Sequence, residues 1–197
     1  MSRASQADAA KHREEVVTAT SRLLRERGAA GVSVQEVMSA AGLTHGGFYK
    51  HFASKDELVG IAAESAFGEV LDVISRIHAD FPASAEAGPQ LLDEYLSVDH
   101  RDDPGAGCAN TGLASDSARA SADSTLRLSY TSGVEATLEG LAGLVAGEGE
   151  DADATRGRAI EHLATMVGAL TLARATKGDP LSQEILDVVR QSLTERW

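Results

Sequence analysis

The chain has 197 residues, 18 Lys/Arg against 30 Asp/Glu for a net charge of −12, and only 4% aromatics. That length can bury a sizeable core as one domain, or as a small domain fused to a larger one. No run of about 18 apolar residues offers a bilayer span, and with no apolar stretch before its charges the N-terminus is not expected to act as a secretory signal. The single cysteine, Cys108, allows no internal disulfide, so a reducing cytoplasm is expected. The acidity is unevenly placed. Residues 1–58 hold eight Lys/Arg against seven Asp/Glu, while the remainder holds ten against twenty-three. An acidic body would repel a polyanion and leave only the N-terminal part free to approach one.

The periodicity is helical nearly throughout, which predicts an all-α fold. Val16, Thr20, Leu23 and Leu24 form the apolar stripe of a first helix that stops at Gly28. Ser33 with Glu36 matches a capping box opening a second helix, which Gly42 ends. Thr44 is placed to cap a third helix carrying Phe48 and Phe52 at i, i+4. Ser54 with Glu57 is another capping box, opening a long helix with Leu58, Ile61, Phe67, Val70, Leu71, Ile74 and Ile77 on its apolar side. A break is expected from Phe81 to Pro89, then a helix carrying Leu91, Leu92, Tyr95 and Leu96, then a polar loop from Asp99 to Gly107. Cys108 to Gly147 reads as one or two helices with their boundary near Asp116 to Asp123. Gly147 to Asp153 reads as an acidic linker. Two apolar helices close the chain. The first bears Ile160, Leu163, Ala164, Val167, Leu170 and Thr171. The second is capped by Asp179 with Pro180 at its first position and bears Leu181, Ile185, Val188, Val189 and Leu193.

The stretch from Ser33 to Leu58 carries the chemistry. A short helix, a glycine turn and a second short helix with basic and aromatic side chains read as a helix-turn-helix, whose second helix enters the DNA major groove. Phe48 and Phe52 would anchor that helix on Val37, Ala41 and the first helix, leaving Tyr49, Lys50 and His51 outward. Gly46 and Gly47 each cost about 1 kcal/mol of helix propensity relative to Ala. Close approach of the backbone to another surface would justify them. Thr44, and Lys55 at the start of the next helix, suit phosphates, and Gln35 can reach a base edge or the backbone. The alternative is an ordinary helical hairpin with solvated charges.

The pattern Gly28…Gly31-Val32-Ser33-Val34-Gln35-Glu36-Val37…Ala41-Gly42-Leu43-Thr44…Gly46…Phe48-Tyr49…His51-Phe52…Ser54-Lys55…Glu57-Leu58 resembles the N-terminal DNA-binding domain of TetR-type transcriptional regulators. The resemblance covers about residues 11–58. It implies a homodimeric repressor of a double-stranded DNA operator, with a head at residues 1–53 and a ligand-responsive, dimerising body at 54–197. By that resemblance Thr44, Tyr49, His51 and Lys55 would contact the backbone, and Gln35, His45, Gly47 and Lys50 are candidates for base reading, with Gly46 beside them as a point of close backbone approach. His45 stands where Lys or Arg is frequent, and Gly47 where Thr, Ser or Ala is frequent. Gly47 has no side chain to read a base, so specificity leans on Lys50, Gln35 and DNA shape.

In the body, the last two helices either pack internally or pair across a two-fold axis as a four-helix bundle. Phe67, Tyr95, Cys108, Tyr130 and Met166 are the candidate effector contacts, each of which could equally be plain core. Cys108 is either a buried small hydrophobe or a thiol that senses oxidants or electrophiles. The loop Asp99-His100-Arg101-Asp102-Asp103 reads as solvated rather than metal-binding. No P-loop, GxGxxG, HExxH, GxSxG or CxxC motif is present, so no catalytic residue, metal or cofactor is assigned and an enzyme is the weaker reading. A helical interaction protein with a vestigial head is a third reading, against which Tyr49, Lys50 and Lys55 argue. No residue distinguishes activation from repression.

Overall fold

The computed structural model describes residues 3–82, 86–147, 149 and 151–197; of these, side chains 3–6 are left undescribed. Every element among the described residues is helical: α1 (Arg3–Arg27), α2 (Val34–Ala40), a 3₁₀ segment (His45–Lys50), α3 (Lys55–Asp80), α4 (Ala87–Tyr95), α5 (Val98–Asp102), α6 (Ala109–Gly112), α7 (Ala114–Arg119), α8 (Thr125–Val145), α9 (Ala152–Ala175) and α10 (Pro180–Thr194). No helix among them is long and apolar enough to cross a membrane.

Local chemistry accounts for most boundaries. Gly28 and Gly42 adopt φ of 73° and 71°, the left-handed conformation that ends a helix without a Cβ penalty. The Ser33–Glu36 capping box is complete: Ser33 Oγ accepts from the Glu36 N–H, and Glu36 accepts from the Ser33 N–H at 3.0 Å. At Ser54 only half the box forms. The Glu57 N–H donates to Ser54 Oγ, but the Glu57 carboxylate reaches one residue further back, to the Ala53 N–H at 2.6 Å. Asp179 caps α10, with Pro180 at its start, as expected.

Several expected boundaries move. The third helix is not an α-helix carrying both phenylalanines but a six-residue 3₁₀ segment ending at Lys50, with Phe52 beyond it. Two adjacent glycines weaken α-helical propagation, and short 3₁₀ turns are the usual outcome. Thr44 occupies the N-cap position without a side-chain cap bond. The expected polar loop contains α5, whose N-cap Ser97 accepts from the His100 N–H. The stretch after Cys108 holds three helices rather than one or two. Helix α4 starts at Ala87, inside the expected break, and α9 starts at Ala152, inside the expected linker. Residues 83–85 of that break and 148 and 150 of that linker lie outside the described residues.

Two apolar clusters organise the packing. One gathers Val16, Leu24, Val37, Met38, Phe48 and Phe52 with Leu58, Ala62, Ala66 and Phe67 of α3, and continues into Leu113 and Leu126. The other fills the body with Ile74 and Ile77, Leu91 and Leu92, Leu141, Leu163, Met166, Leu170, Leu186 and Leu193. Helix α3 serves both, its first half facing the head and its second half the body. Gly133 lets α8 approach α3 closely, because a Cβ there would collide with the Phe67 ring.

Candidate DNA-reading surface and body cavity

The reading segment is built on its buried side. Phe48 is 0% exposed and Phe52 2%, their rings 5.6 Å apart and packed in the cluster with Val16, Leu24 and Val37. The Arg13 guanidinium lies over the Phe52 ring at 5.0 Å, tying α1 to the end of the segment. With that side fixed, Tyr49 stands out at 75% exposure, held edge-on against Phe48. Lys50 and His45 are exposed, and His51 is half-buried. Gln35 is exposed near the start of α2, and Thr44 is exposed at the mouth of the turn.

The glycines are not demanded by the protein's own packing. A Cβ at Gly46 would meet nothing within 4 Å, and one at Gly47 would make ordinary contact with Met38 and Thr44. Lys55 is already engaged: its Nζ donates to the Ala29 carbonyl at 3.1 Å, bracing the α1–α2 turn, although the side chain stays exposed.

The body contains a cavity of about 250 Å³. Val70, Val73 and Ile74 of α3, with Leu91, Leu141, Leu163 and Met166, form its apolar walls. Among the sequence candidates Tyr95, Cys108 and Met166 line it. Phe67 and Tyr130 do not: their rings pack edge to face at 5.5 Å in the neighbouring cluster, and the Tyr130 hydroxyl donates to the Asn110 carbonyl at 2.9 Å.

The polar lining is mostly what sequence reasoning missed. Arg25 of α1 enters the wall with its side chain 3% exposed. Nη1 and Nη2 meet the Glu69 carboxylate at 2.6 and 3.0 Å, and Nη1 also donates to the Gly107 carbonyl at 3.0 Å. The signal was present in the register of α1. Val17, Ser21 and Arg25 follow one another at i, i+4 on the buried face, so a charge there needs a partner of opposite charge.

His100 fixes the cavity's rim. Its Nδ1–H donates to the Tyr95 carbonyl at 2.7 Å, while Nε2 accepts from the Cys108 N–H at 2.9 Å, an arrangement that needs a neutral ring. Burial pushes its pKa below the ordinary histidine value, and the Arg174 and Arg25 charges push the same way. The Tyr95 phenol, bonded to Thr111 at 3.0 Å, is raised well above the usual tyrosine value by burial. Burial also pushes Tyr130 up to about 12, aided by the proximity of Cys108. The Cys108 thiol, 6% exposed, accepts from Asn110 Nδ2 at 3.3 Å.

The arrangement defines a helix-turn-helix head joined to a helical body with a partly open cavity. Residues 16–60 match the family described as bacterial regulatory proteins, tetR family. Two Bacillus subtilis (strain 168) proteins match over 46% of this chain: the HTH-type transcriptional regulator PksA at 35% identity, and the uncharacterised HTH-type transcriptional regulator YerO at 32%. The chain covers only 44% and 30% of their respective lengths. A TetR transcriptional regulator from Chloroflexus aurantiacus J-10-FL superposes with a TM-score of 0.76 at 25% identity, over 96% of this chain and 95% of its own. Residues 16–60 are thus similar to the tetR family of bacterial regulatory proteins, and the fold is shared over nearly the whole chain with a TetR transcriptional regulator.

Proposed function

We propose that this chain is a cytoplasmic DNA-binding regulator that holds a near-palindromic double-stranded operator as a homodimer. It acts as a repressor and leaves the operator when a small-molecule or thiol-reactive effector occupies the body. The observation carrying this reading is the pairing of exposed Tyr49 and Lys50 with the fully buried Phe48 between α2 and α3. An exposed aromatic and cation on a rigid, buried anchor suit a groove and its phosphates, and solvent alone gives no reason for the anchor. Gln35, Thr44, His45, Gly46, Gly47 and His51 complete the surface, with Lys55 at its edge.

Homodimerisation is supported by the outer sides of the last two helices. Ile160 and Leu172 of α9 and Leu181 and Val188 of α10 are each about half exposed, and Gly157 and Gly168 leave open space beside them. Burying that face against a second copy would make a four-helix bundle and set the two reading segments one helical turn apart, roughly 34–36 Å. The cavity, with Tyr95, Cys108 and Met166 on its wall, supplies the effector site of a body spanning 54–197. Helix α3 links the two sites. It starts in the head's core at Leu58 and lines the cavity at Val70, Val73 and Ile74. An effector that favours one placement of α3 thereby changes the spacing of the heads.

Selecting bound fragments from random DNA with the purified protein tests this reading. Enrichment of a palindrome with half-sites about 10 base pairs apart is expected, with affinity falling steeply as salt rises. Folded protein that enriches no sequence, with and without cell extract as an effector source, would overturn it.

A further inference from the structure

The cavity's polar contacts go beyond the presence of an effector site and point to the effector's chemical class. Resting on the reading of this cavity as that site, we infer that it takes a small, mostly apolar molecule carrying one carboxylate. That carboxylate docks on Arg25 in place of Glu69.

The pair Arg25–Glu69 is lopsided. The guanidinium side chain is 3% exposed and also held by the Gly107 carbonyl, whereas the Glu69 side chain is 46% exposed. Glu69 can swing into water at little cost, and Arg25 cannot follow it. Left alone in an apolar wall, the guanidinium would be an uncompensated buried charge, so it demands another anion. An incoming carboxylate inherits both Nη donors in the planar two-point geometry that arginine favours. Arg25 Nε, buried and without a hydrogen-bond partner among the described residues, remains as a further donor.

The rest of the lining sets the body of the molecule. Val70, Val73, Ile74, Leu91, Leu163 and Met166 offer only apolar contact. The volume, about 250 Å³, sits at the small end of ligand pockets. Asn110, also in the wall, has an Oδ1 that is buried and unpartnered. It can accept from a hydroxyl or amide N–H elsewhere on the ligand. Among the described residues Glu94 is the one other carboxylate facing the cavity. Its charge is already matched by Arg76 at 2.5 Å, with Gln90 donating at 2.8 Å, so it does not cancel the attraction of Arg25.

This choice of ligand explains how occupancy reaches the head. Arg25 is part of α1 and Glu69 part of α3, so the resting ion pair ties the head's first helix to the helix shared with the body. A ligand carboxylate exchanges that tie for one between α1 and the ligand. The head thus senses the effector directly through its own side chain.

Three probes of one chain length separate the possibilities: octanoate, 1-octanol and octylamine, titrated calorimetrically into wild type, Glu69→Gln and Arg25→Met. Octanoate is expected to bind wild type at least about tenfold more tightly than octanol, with octylamine weakest, in keeping with one charge-assisted pair. Glu69→Gln, which removes the competing carboxylate, is expected to tighten octanoate about tenfold and leave octanol unchanged. Arg25→Met is expected to erase the preference for octanoate while retaining octanol. The ranking in wild type alone decides the matter if either variant misfolds. Equal binding of octanoate and octanol, or tightest binding by octylamine, overturns the carboxylate assignment and leaves the cavity as the effector site. Binding of none of the three overturns both.

Discussion

The reading surface and the cavity are built on opposite plans. At the reading surface a buried aromatic pair, Phe48 and Phe52, holds side chains out into solvent, and the exposed candidates all lie between Gln35 and Lys55. In the cavity polar groups are drawn inward by helices far apart in the chain, from Arg25 in α1 to Thr137 in α8. The head's surface is therefore expected to tolerate substitution thermodynamically while failing functionally. In the cavity, stability and function are linked, because Arg25 and His100 are both structural members and wall. One consequence is that a screen for folded protein alone would miss damage to the first site and would detect damage to the second.

The largest effect that sharpens this contrast is expected at the anchor. Phe48→Ala removes a fully buried ring and should destabilise the protein by about 3–5 kcal/mol. Chemical denaturation should show it, and DNA binding should be lost with it. A cost under about 1 kcal/mol would mean that the segment is not held from beneath.

A smaller loss, about 1 kcal/mol, is expected for Ser33→Ala, which leaves the Glu36 N–H without its cap acceptor. Glu36 reports the same cap from the other side. The Ser33 hydrogen bonds hold its carboxyl below the usual carboxylate value. The shift measured by NMR titration should shrink in the Ala variant.

The smallest effect concerns pH and the cavity rim. His100 has a depressed pKa in the folded protein, so the neutral ring is favoured there. Its contribution to stability is fully present above the unfolded value of about 6.5 and is lost as pH falls through the folded value. Thermal melts of wild type and His100→Gln should therefore converge on acidification below about 6.5. Curves that stay parallel would mean that the Tyr95 and Cys108 bonds do not depend on a neutral ring.

The head was readable because its signals are local. The Ser33–Glu36 box, the stops at Gly28 and Gly42, and the Phe48/Phe52 anchor each depend on residues at most four apart. What escaped reading there was the 3₁₀ geometry, since Gly46-Gly47 signals weak helicity without saying which turn replaces it. In the body, α5, α6 and α7 have four to six residues each, too few for a period to emerge, and so merged into loops or longer helices. The cavity was the least legible part. Tyr95, Cys108 and Met166 were found because their side chains are unusual in a chain poor in aromatics and sulfur. Glu69 and Thr137 looked like ordinary helix residues, and only the packing of α1, α3 and α8 brings them to one space. Arg25 was missed as well, although its place on the buried face of α1 was a signal that could have found it.

We propose that Tyr49 and Lys50 read DNA from a scaffold that does not need them. The direct test is the affinity of wild type and of the double variant Tyr49→Ala/Lys50→Ala for the enriched DNA site, with denaturation curves taken in parallel. The account predicts a loss of specific affinity of about a hundredfold or more, with folding stability unchanged within about 0.5 kcal/mol. Undiminished affinity in the folded double variant would contradict it and place the DNA-binding surface elsewhere on the molecule.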